Sequence, residues 1–575
     1  MSASNLFMHY LALACDYDGT LATHGVVSPE TIAALEQVQR SGRKLMMVTG
    51  RELRDLERVF PALEMFDCVV AENGALLYIP KSREERWLCE APPRAFVERL
   101  AELGVEPLSV GRCIVATREP YEKLVLKAIQ DLGLELQVIF NKGAVMVLPS
   151  GLNKGTGLAH AARELGLSPH NIVGIGDAEN DHAFLKACEC GVAVGDAVDT
   201  LKQRADAVMR GHNSAGAREL ISSLLNSDLA ELGMPSQRHA ILIGKDREGN
   251  EVNMPGYGAC VLAAGPSGSG KSTAVTALVE RFQQRAYQFC LIDPEGDFEG
   301  FPNAISVGNE QQQPSMEELA QLLENFEDTI VNLLGVPLPD RPELFAGCLS
   351  RVQEMRVRTG RPHWLVLDEV HHLLPKSWRP ASIALPQVLE SAIMITVHPD
   401  HVSRAVLDAV DTVLAVGENA EETIAAFCSA IGEAPPSMPD GLSPEKGEVI
   451  VWLRGKGKPP TPVRVEPGTA ERRRHRRKYA QGDIQEKSFY FRGPEGKLNL
   501  RAQNLSMFVQ MAEGVDEDTW LHHLQQNDYS TWIREAIKDA TLADEVQSIE
   551  NASLPAGDSR ARIKDAIERQ YTSAA

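Results

Sequence analysis

Asp16-Tyr17-Asp18-Gly19-Thr20-Leu21 closes an apolar run, and two carboxylates so spaced at a strand end suit phosphoryl transfer. Asp16 is placed to attack phosphorus. Asp18, turned back by Gly19, is placed to protonate the leaving oxygen and then to activate water. Two acids around an anionic substrate call for cations, which a lysine and Mg2+ would supply. Thr49 ends the strand-like KLMMVTG, where its hydroxyl and the Gly50 amide could hold phosphate oxygens. Lys154, in Gly-Leu-Asn-Lys-Gly-Thr-Gly-Leu, opens a helix, so its ammonium and the helix dipole would act together. Asp177 and Asp181 follow the apolar Ile-Val-Gly-Ile-Gly and could aim at one magnesium ion.

A second phosphate signature lies near residue 270. Gly265-Pro-Ser-Gly268-Ser-Gly270-Lys271-Ser272-Thr273 follows ACVLAA and leads into STAVTALVERFQQR, a strand, a glycine-rich cradle and a helix. Backbone amides from Gly265 through Thr273 would wrap ATP phosphates, Lys271 would reach the β and γ oxygens, and Ser272 would bind magnesium. Asp368-Glu369 ends the apolar His363-Trp-Leu-Val-Leu. Asp368 suits a water-mediated magnesium contact and Glu369 suits polarising the attacking water. Thr396 and His398, ending another apolar strand, sit where the γ-phosphate could be sensed. Arg351 and Arg404 read as surface residues rather than fingers reaching a neighbouring subunit.

The elements needed to position these residues imply an α/β multidomain fold. An α/β domain with a long insertion between Thr49 and Lys154 comes first, then a P-loop domain, then a small mainly helical carboxy-terminal module. Predicted boundaries are 1–228 for the first domain (insertion about 59–149), 239–468 for the second, 469–483 for a basic linker, 484–545 for the module and 546–575 for a tail that ends in a short helix. Ser28-Pro29-Glu30 marks a helix start. HAILIG, Asp246-Arg-Glu-Gly-Asn and EVNMP read as a hairpin. Trp520, Leu521, Leu524, Tyr529 and Trp532 predict a small core. Adjacent His522 and His523 are not expected to share a metal.

The 575 residues are 43 % apolar with a net charge of −21, against a surface that binds nucleic acid throughout. Arg472-Arg473-Arg474-His475-Arg476-Arg477-Lys478 leaves room for a local nucleic-acid contact, although a solvated linker is favoured. No apolar run is long enough to span a membrane, and the amino terminus has no signal-peptide pattern, so a cytoplasmic location is expected. The ten cysteines show no zinc-finger spacing and are expected to be reduced.

The Asp16, Thr49, Lys154 and Asp177/Asp181 segments, with Ala71-Glu72-Asn73-Gly74-Ala75, resemble the haloacid dehalogenase superfamily, in particular its Cof-type, subclass IIB phosphatases. The resemblance implies Asp16 as nucleophile and Asp18 as acid/base, with Thr49 and Lys154 binding phosphate. Asp16, the Asp18 main-chain carbonyl and Asp177 would hold magnesium, supported by Asp181. It also implies a Rossmann-like core and an α/β cap formed by the 59–149 insertion, which selects the substrate and in which Arg112, Arg118 and Lys142 are candidates to meet an anion. The hairpin, the P-loop, Asp293-Pro-Glu-Gly-Asp297 and the acid pair resemble the HerA–FtsK group of ATPases, which implies a homo-oligomer, in the extreme a ring. The favoured expectation is a Mg2+-dependent phosphatase of a phosphorylated small molecule, fused to an ATP-binding and ATP-hydrolysing domain. A nucleic-acid motor with an accessory phosphatase and a nucleotide-regulated sensor are the alternatives.

Overall fold

The computed structural model describes residues 8–141, 143–232, 237–377, 389–439, 444–445, 447–454, 457–466, 468, 487–537, 539–552 and 554–571. The basic run 472–478, the 469–483 linker and Lys142 lie outside the described residues. Backbone contacts divide the chain into two units. One comprises residues 1–292, 314–331 and 336–468, the other 293–313, 332–335 and 469–575.

In the first unit an eight-stranded sheet has Ala12–Cys15 near its centre, flanked by Lys44–Val48 and Ile172–Gly176, both parallel to it. These strands are almost continuously apolar because helices cover both faces of such a sheet, and Leu13, Met46 and Val173 are fully buried. The register sets Cys15 opposite Met47 on one side and Ile175 on the other. The next residues, Asp16 and Thr49, therefore emerge at one edge, with Asp177 beyond Gly176. The helix Pro29–Arg40 begins as its sequence predicts, with the Ser28 hydroxyl accepting from the Thr31 N–H.

The lid is shorter than the predicted 59–149. Cys68–Ala71 adds a parallel strand to the main sheet, and Leu76–Ile79 and Glu84–Trp87 extend it antiparallel. The separate layer begins with the helix Arg94–Glu102. Its four-stranded antiparallel sheet runs in the order Ser109–Val110, Val115–Arg118, Ala144–Pro149, Leu136–Asn141. Phe96, Leu100, Val125 and Val147 give this layer its own small core.

The second sheet places the P-loop strand Cys260–Ala264 between Thr412–Val416 and Ala392–Thr396, with Trp364–Leu367 and then Phe289–Asp293 beyond the latter. All five are parallel, so their carboxy-terminal ends share one edge. The predicted hairpin forms from Ile241–Asp246 and Glu251–Met254 and joins this sheet through Thr461–Arg464.

In the other unit, the hairpin of Phe489–Phe491 and Leu500–Ala502 precedes the helices Leu505–Gly514, Glu517–Gln525 and Asp528–Trp532. Phe491, Phe508, Trp520 and Tyr529 are buried together. Helix Ala540–Glu550 runs on from the predicted module into the 546–575 stretch, which also carries the helix Ala556–Tyr571, and together they bring Val546, Ile563 and Ile567 into the same core. Their apolar residues recur at helical spacing but need the aromatic cluster to bury them. His523 is structural: its Nε2 accepts from the Arg492 N–H at 3.0 Å, and its Nδ1 donates to Asp528 Oδ2 at 2.7 Å.

Candidate active sites

Asp16, Asp18, Thr49, Arg51, Lys154 and Asp177 line a cleft of about 450 Å3 in the first domain. Asp16 follows its strand directly, its N–H donating to the Ile175 carbonyl at 3.0 Å. Asp181 lies on a single helical turn, Glu179–Asp181, and its Oδ2 accepts from the N–H groups of Asp177 and Ala178 at 2.8 and 2.9 Å. That turn needs Gly176, where a Cβ would stand 2.6 Å from Asp181 Oδ2. Carboxylate oxygens of Asp16, Asp177 and Asp181 lie within 4.8 Å of one another, all three buried.

Lys154 ties this group together. Its Nζ donates to Asp16 Oδ1 at 2.5 Å and to Asp181 Oδ1 at 2.6 Å, with only 2 % of the side chain exposed. It begins the helix Lys154–Glu164, held by Asn153, whose side chain accepts from the Gly155 and Thr156 N–H groups. Burial alone would lower the lysine's proton affinity, but Asp16 and Asp181 outweigh it and raise it. Burial pushes the Asp16 carboxyl well above the usual range, with Asp181 and Asp177 adding and Lys154 opposing. Three buried carboxylates against one ammonium leave the site short of positive charge. That donor set, hard oxygens only, fits a magnesium ion.

Asp18 stands apart from this cluster. Arg51 grips it with two parallel bonds, Nε to Oδ2 at 2.6 Å and Nη2 to Oδ1 at 2.7 Å. The Arg51 Nη1 also pairs with Asp55 at 2.5 Å. Such a bidentate pair fixes orientation as well as charge. Sequence reasoning missed Arg51, although it adjoins Thr49-Gly50 and its N–H donates to Thr49 Oγ1 at 3.1 Å. It also missed Asn180, which donates to Asn73 Oδ1 at 2.9 Å. From the lid, Asn141 and Met146 reach the cleft. Arg112 does not line it: this residue lies over the Trp87 ring and near Glu85 on the surface. Arg118 is exposed and likewise absent from the lining.

The P-loop turns through Gly265, Gly268 and Gly270, all with positive φ. At Gly265 a Cβ would meet the Val416 carbonyl oxygen at 2.0 Å, so glycine is required for the close approach. The helix Lys271–Gln284 follows, with Ser272 and Thr273 in its first turn. The Lys271 Nζ donates to the Gly265 and Pro266 carbonyls, each at 2.9 Å. Asp368, buried, ends the strand Trp364–Leu367, and Glu369 follows with φ of 42°.

Thr396, aligned with Ala264 across the parallel pair, connects this edge to Glu369. The His398 N–H donates to Thr396 Oγ1 at 3.1 Å, and Thr396 Oγ1 lies 3.1 Å from His371 Nδ1. His371 Nδ1 is in turn 3.4 Å from Glu369 Oε2. Burial, with His372 and His398 nearby, pushes His371 down to about 4, so the ring is neutral near pH 7. His371, next but one to Glu369, is a further site residue that sequence reasoning passed over. Arg351 and Arg404 are exposed beside Glu354 and Asp408 of their own segments. The Asp293 carboxylate accepts from the N–H groups of Glu295, Asp297 and Phe298 and so shapes its own loop.

The fold and the residues at its two sheet edges point to a hydrolase domain joined to a P-loop domain, and the family comparisons agree. Residues 13–106 and 106–221 match the haloacid dehalogenase-like hydrolase family, and residues 256–403 match an AAA domain. The chain is 30 % identical over 223 residues to a phosphoglycolate phosphatase of Pyrobaculum neutrophilum, covering 37 % of this chain and 95 % of that protein. It is 29 % identical over 229 residues to phosphoglycolate phosphatase 2 of Saccharolobus solfataricus, covering 38 % and 95 %. A haloacid dehalogenase-like hydrolase structure from Bacteroides thetaiotaomicron aligns at 19 % identity over 37 % of this chain and 99 % of that one, with a TM-score of 0.33. Through its amino-terminal domain the chain belongs to the haloacid dehalogenase-like hydrolases. No helix among the described residues is long and apolar enough to cross a membrane.

Proposed function

We propose that the amino-terminal domain hydrolyses a small phosphomonoester through an aspartyl phosphate on Asp16. The observation that carries this reading is the Lys154 ammonium bonded at once to Asp16 and Asp181 in the cleft that Asp18, Thr49 and Asp177 also line. A bound Mg2+, held by Asp16, Asp177 and the Asp18 main-chain carbonyl with Asp181 in support, would neutralise charge on the phosphoryl group. Asp16 forms the new oxygen–phosphorus bond while the ester oxygen leaves. Asp18 donates its proton to that oxygen, then takes a proton from the water that releases phosphate. Lys154 holds Asp16 in place, and Thr49 offers its hydroxyl to the phosphoryl oxygens. Asp18 must first exchange its Arg51 partner for substrate, so Arg51 is placed to meet an anionic group as the acid is released. The similarity to phosphoglycolate phosphatases makes phosphoglycolate the first substrate to test.

The second domain is proposed to bind and hydrolyse ATP. Gly265, Gly268, Gly270, Lys271 and Thr273 would cradle the phosphates, Ser272 and Asp368 would serve the nucleotide's magnesium, and Glu369 would polarise water. Lys271 is held by carbonyls of its own loop, contacts that a nucleotide phosphate can replace. The HerA–FtsK-like motor is the competing reading for this domain.

Phosphate release from a monoester panel and from ATP, with and without DNA, separates these readings. The expected result is monoester turnover that needs Asp16, and ATP turnover that needs Lys271 and ignores DNA. A Lys271-dependent activity strongly stimulated by DNA, with monoesters untouched, would replace the phosphatase reading with the motor.

A further inference from the structure

At the opposite end of the strand Ile172–Gly176 from Asp177 lies a buried group that neither proposed reaction uses. His170 belongs to the turn Pro169–Asn171, Glu189 precedes the strand Cys190–Ala193, and His239 ends the turn that leads into the P-loop domain. One ligand atom from each lies within 4.8 Å of the others.

The hydrogen bonds around these rings fix their tautomers. His170 Nε2 is 2.7 Å from the Arg285 carbonyl, and His239 Nε2 is 3.3 Å from the Cys188 carbonyl. A carbonyl only accepts, so each ring carries a proton on Nε2, and Nδ1 is the nitrogen turned inward. Both Nδ1 atoms face the same oxygen, Glu189 Oε2, at 2.6 and 3.7 Å. The Tyr287 hydroxyl donates to this carboxylate, 3.1 Å from Oε1 and 3.0 Å from Oε2. Two imidazole nitrogens and a carboxylate oxygen thus converge on one point. A proton on His170 would answer one contact and leave the His239 lone pair facing the carboxylate. A dication answers all three.

We propose that His170, Glu189 and His239 bind a zinc ion that staples the hydrolase domain to the P-loop domain. Imidazole and carboxylate donors suit zinc rather than magnesium or calcium. Rings whose other nitrogen donates to a carbonyl, and a carboxylate steadied by a hydroxyl, are the outer contacts that orient metal ligands. Zinc bonds near 2.0–2.1 Å set a tetrahedral edge of about 3.3 Å, so binding requires the Glu189 carboxylate to draw back from His170 by under about 1 Å. The ligands are far apart in sequence and include no cysteine, which is why cysteine spacing gives no sign of them.

The test uses the full chain, stripped with chelator and then offered zinc in excess magnesium, so that Mg2+-favouring sites do not compete. Bound zinc and its affinity, read by metal analysis and a competing chromophoric chelator, should show a single tight zinc in the unaltered protein and in Asp16→Asn. His239→Ala should weaken it by more than about 100-fold, and Tyr287→Phe by about 10-fold. Cobalt should give a tetrahedral visible spectrum that His239→Ala abolishes. If His239→Ala does not fold by circular dichroism, Glu189→Gln carries the same expected loss. Failure of the stripped chain to take up zinc, or uptake and a cobalt spectrum indifferent to a folded His239 or Glu189 variant, overturns the proposal.

Discussion

The two motif-bearing sheet edges of this chain hold their lysines in different ways. In the hydrolase domain the Lys154 ammonium ends on two buried carboxylates. In the P-loop domain the Lys271 ammonium rests on two main-chain carbonyls. Charged partners in a buried site bind a cation firmly. Lys154 is thus a fixed part of its site, and what that site lacks is further positive charge to admit a phosphate. Lys271 donates to carbonyls of its own loop. The first site should therefore depend steeply on divalent cation, and the second on loop rearrangement.

The strongest way to break this comparison is to remove the central group of each edge. Asp16→Asn should reduce monoester turnover by about 10⁴-fold or more, as loss of a nucleophile does, while ATP turnover stays unchanged. Lys271→Ala should reduce ATP turnover by about 10²–10³-fold and leave monoesters unaffected. Steady-state phosphate release on both substrates checks the pair. Loss of both activities in either variant would show that the two centres do not work independently.

Asp18 sharpens the comparison on a finer scale. Asp18→Asn should lower kcat by about 10²–10⁴-fold, the usual worth of a general acid/base. Arg51→Ala should raise KM for an anionic substrate more than it lowers kcat, if the guanidinium passes from Asp18 to substrate. Initial-rate kinetics on phosphoglycolate and on an uncharged-ester analogue would separate the two effects. An equal KM change on both substrates would assign Arg51 to holding Asp18 alone.

The charge shortage at Asp16 also predicts a pH dependence of stability. Its carboxyl is raised in the folded chain, first by burial and then by Asp181 and Asp177. The folded state thus holds this proton more tightly than the unfolded state does. Stability is complete below the ordinary carboxylate value of 3.8 and is lost as pH rises through the raised folded value. In metal-free protein, Asp16→Asn should therefore melt higher than the unaltered chain at neutral pH, with the gap closing as pH falls toward that ordinary value. Magnesium should close it from the other side, because it binds the folded state of the unaltered site. Calorimetry across pH reads this directly, and a gap that widens on acidification would contradict it.

What could be read from sequence here follows the range of the contacts. Asp16 with Asp18, Asp177 with Asp181, and the P-loop glycines are neighbours in the chain, and an apolar strand before each announces where it ends. The hairpin at Asp246 is legible for the same reason. The lid boundary is not, because Leu76–Ile79 and Glu84–Trp87 could pair with either sheet, and only pairing with Cys68–Ala71 assigns them to the core. Helix Ala556–Tyr571 has an apolar stripe whose partner, the cluster around Trp520, lies far back in the chain, where Trp520 Nε1 donates to Ser559 Oγ at 3.0 Å. The roles of Arg51 and His371 turn on side-chain direction. Their positions next to Gly50 and near Glu369 were a usable signal that motif matching alone does not weigh.

The smallest expected effect bears on how the P-loop domain completes its site. A trans-acting arginine finger is worth about 10³–10⁵-fold in turnover. Arg351 and Arg404 are exposed, and each lies beside an acid within its own local segment, Glu354 at 2.7 Å and Asp408 at 3.6 Å. Exposed pairs of this kind contribute little to stability, so either arginine can be removed without disturbing the fold. Arg351→Ala and Arg404→Ala should each leave ATP turnover within about twofold, because neither competes with the finger-sized effect. Turnover measured over a range of protein concentrations decides the matter. A loss of several hundredfold in one variant, restored by mixing with Lys271→Ala chains, would mean that a second copy supplies the missing charge. The domain would then act as an assembly, and the self-contained hydrolase centre beside it would be the contrasting case on the same chain.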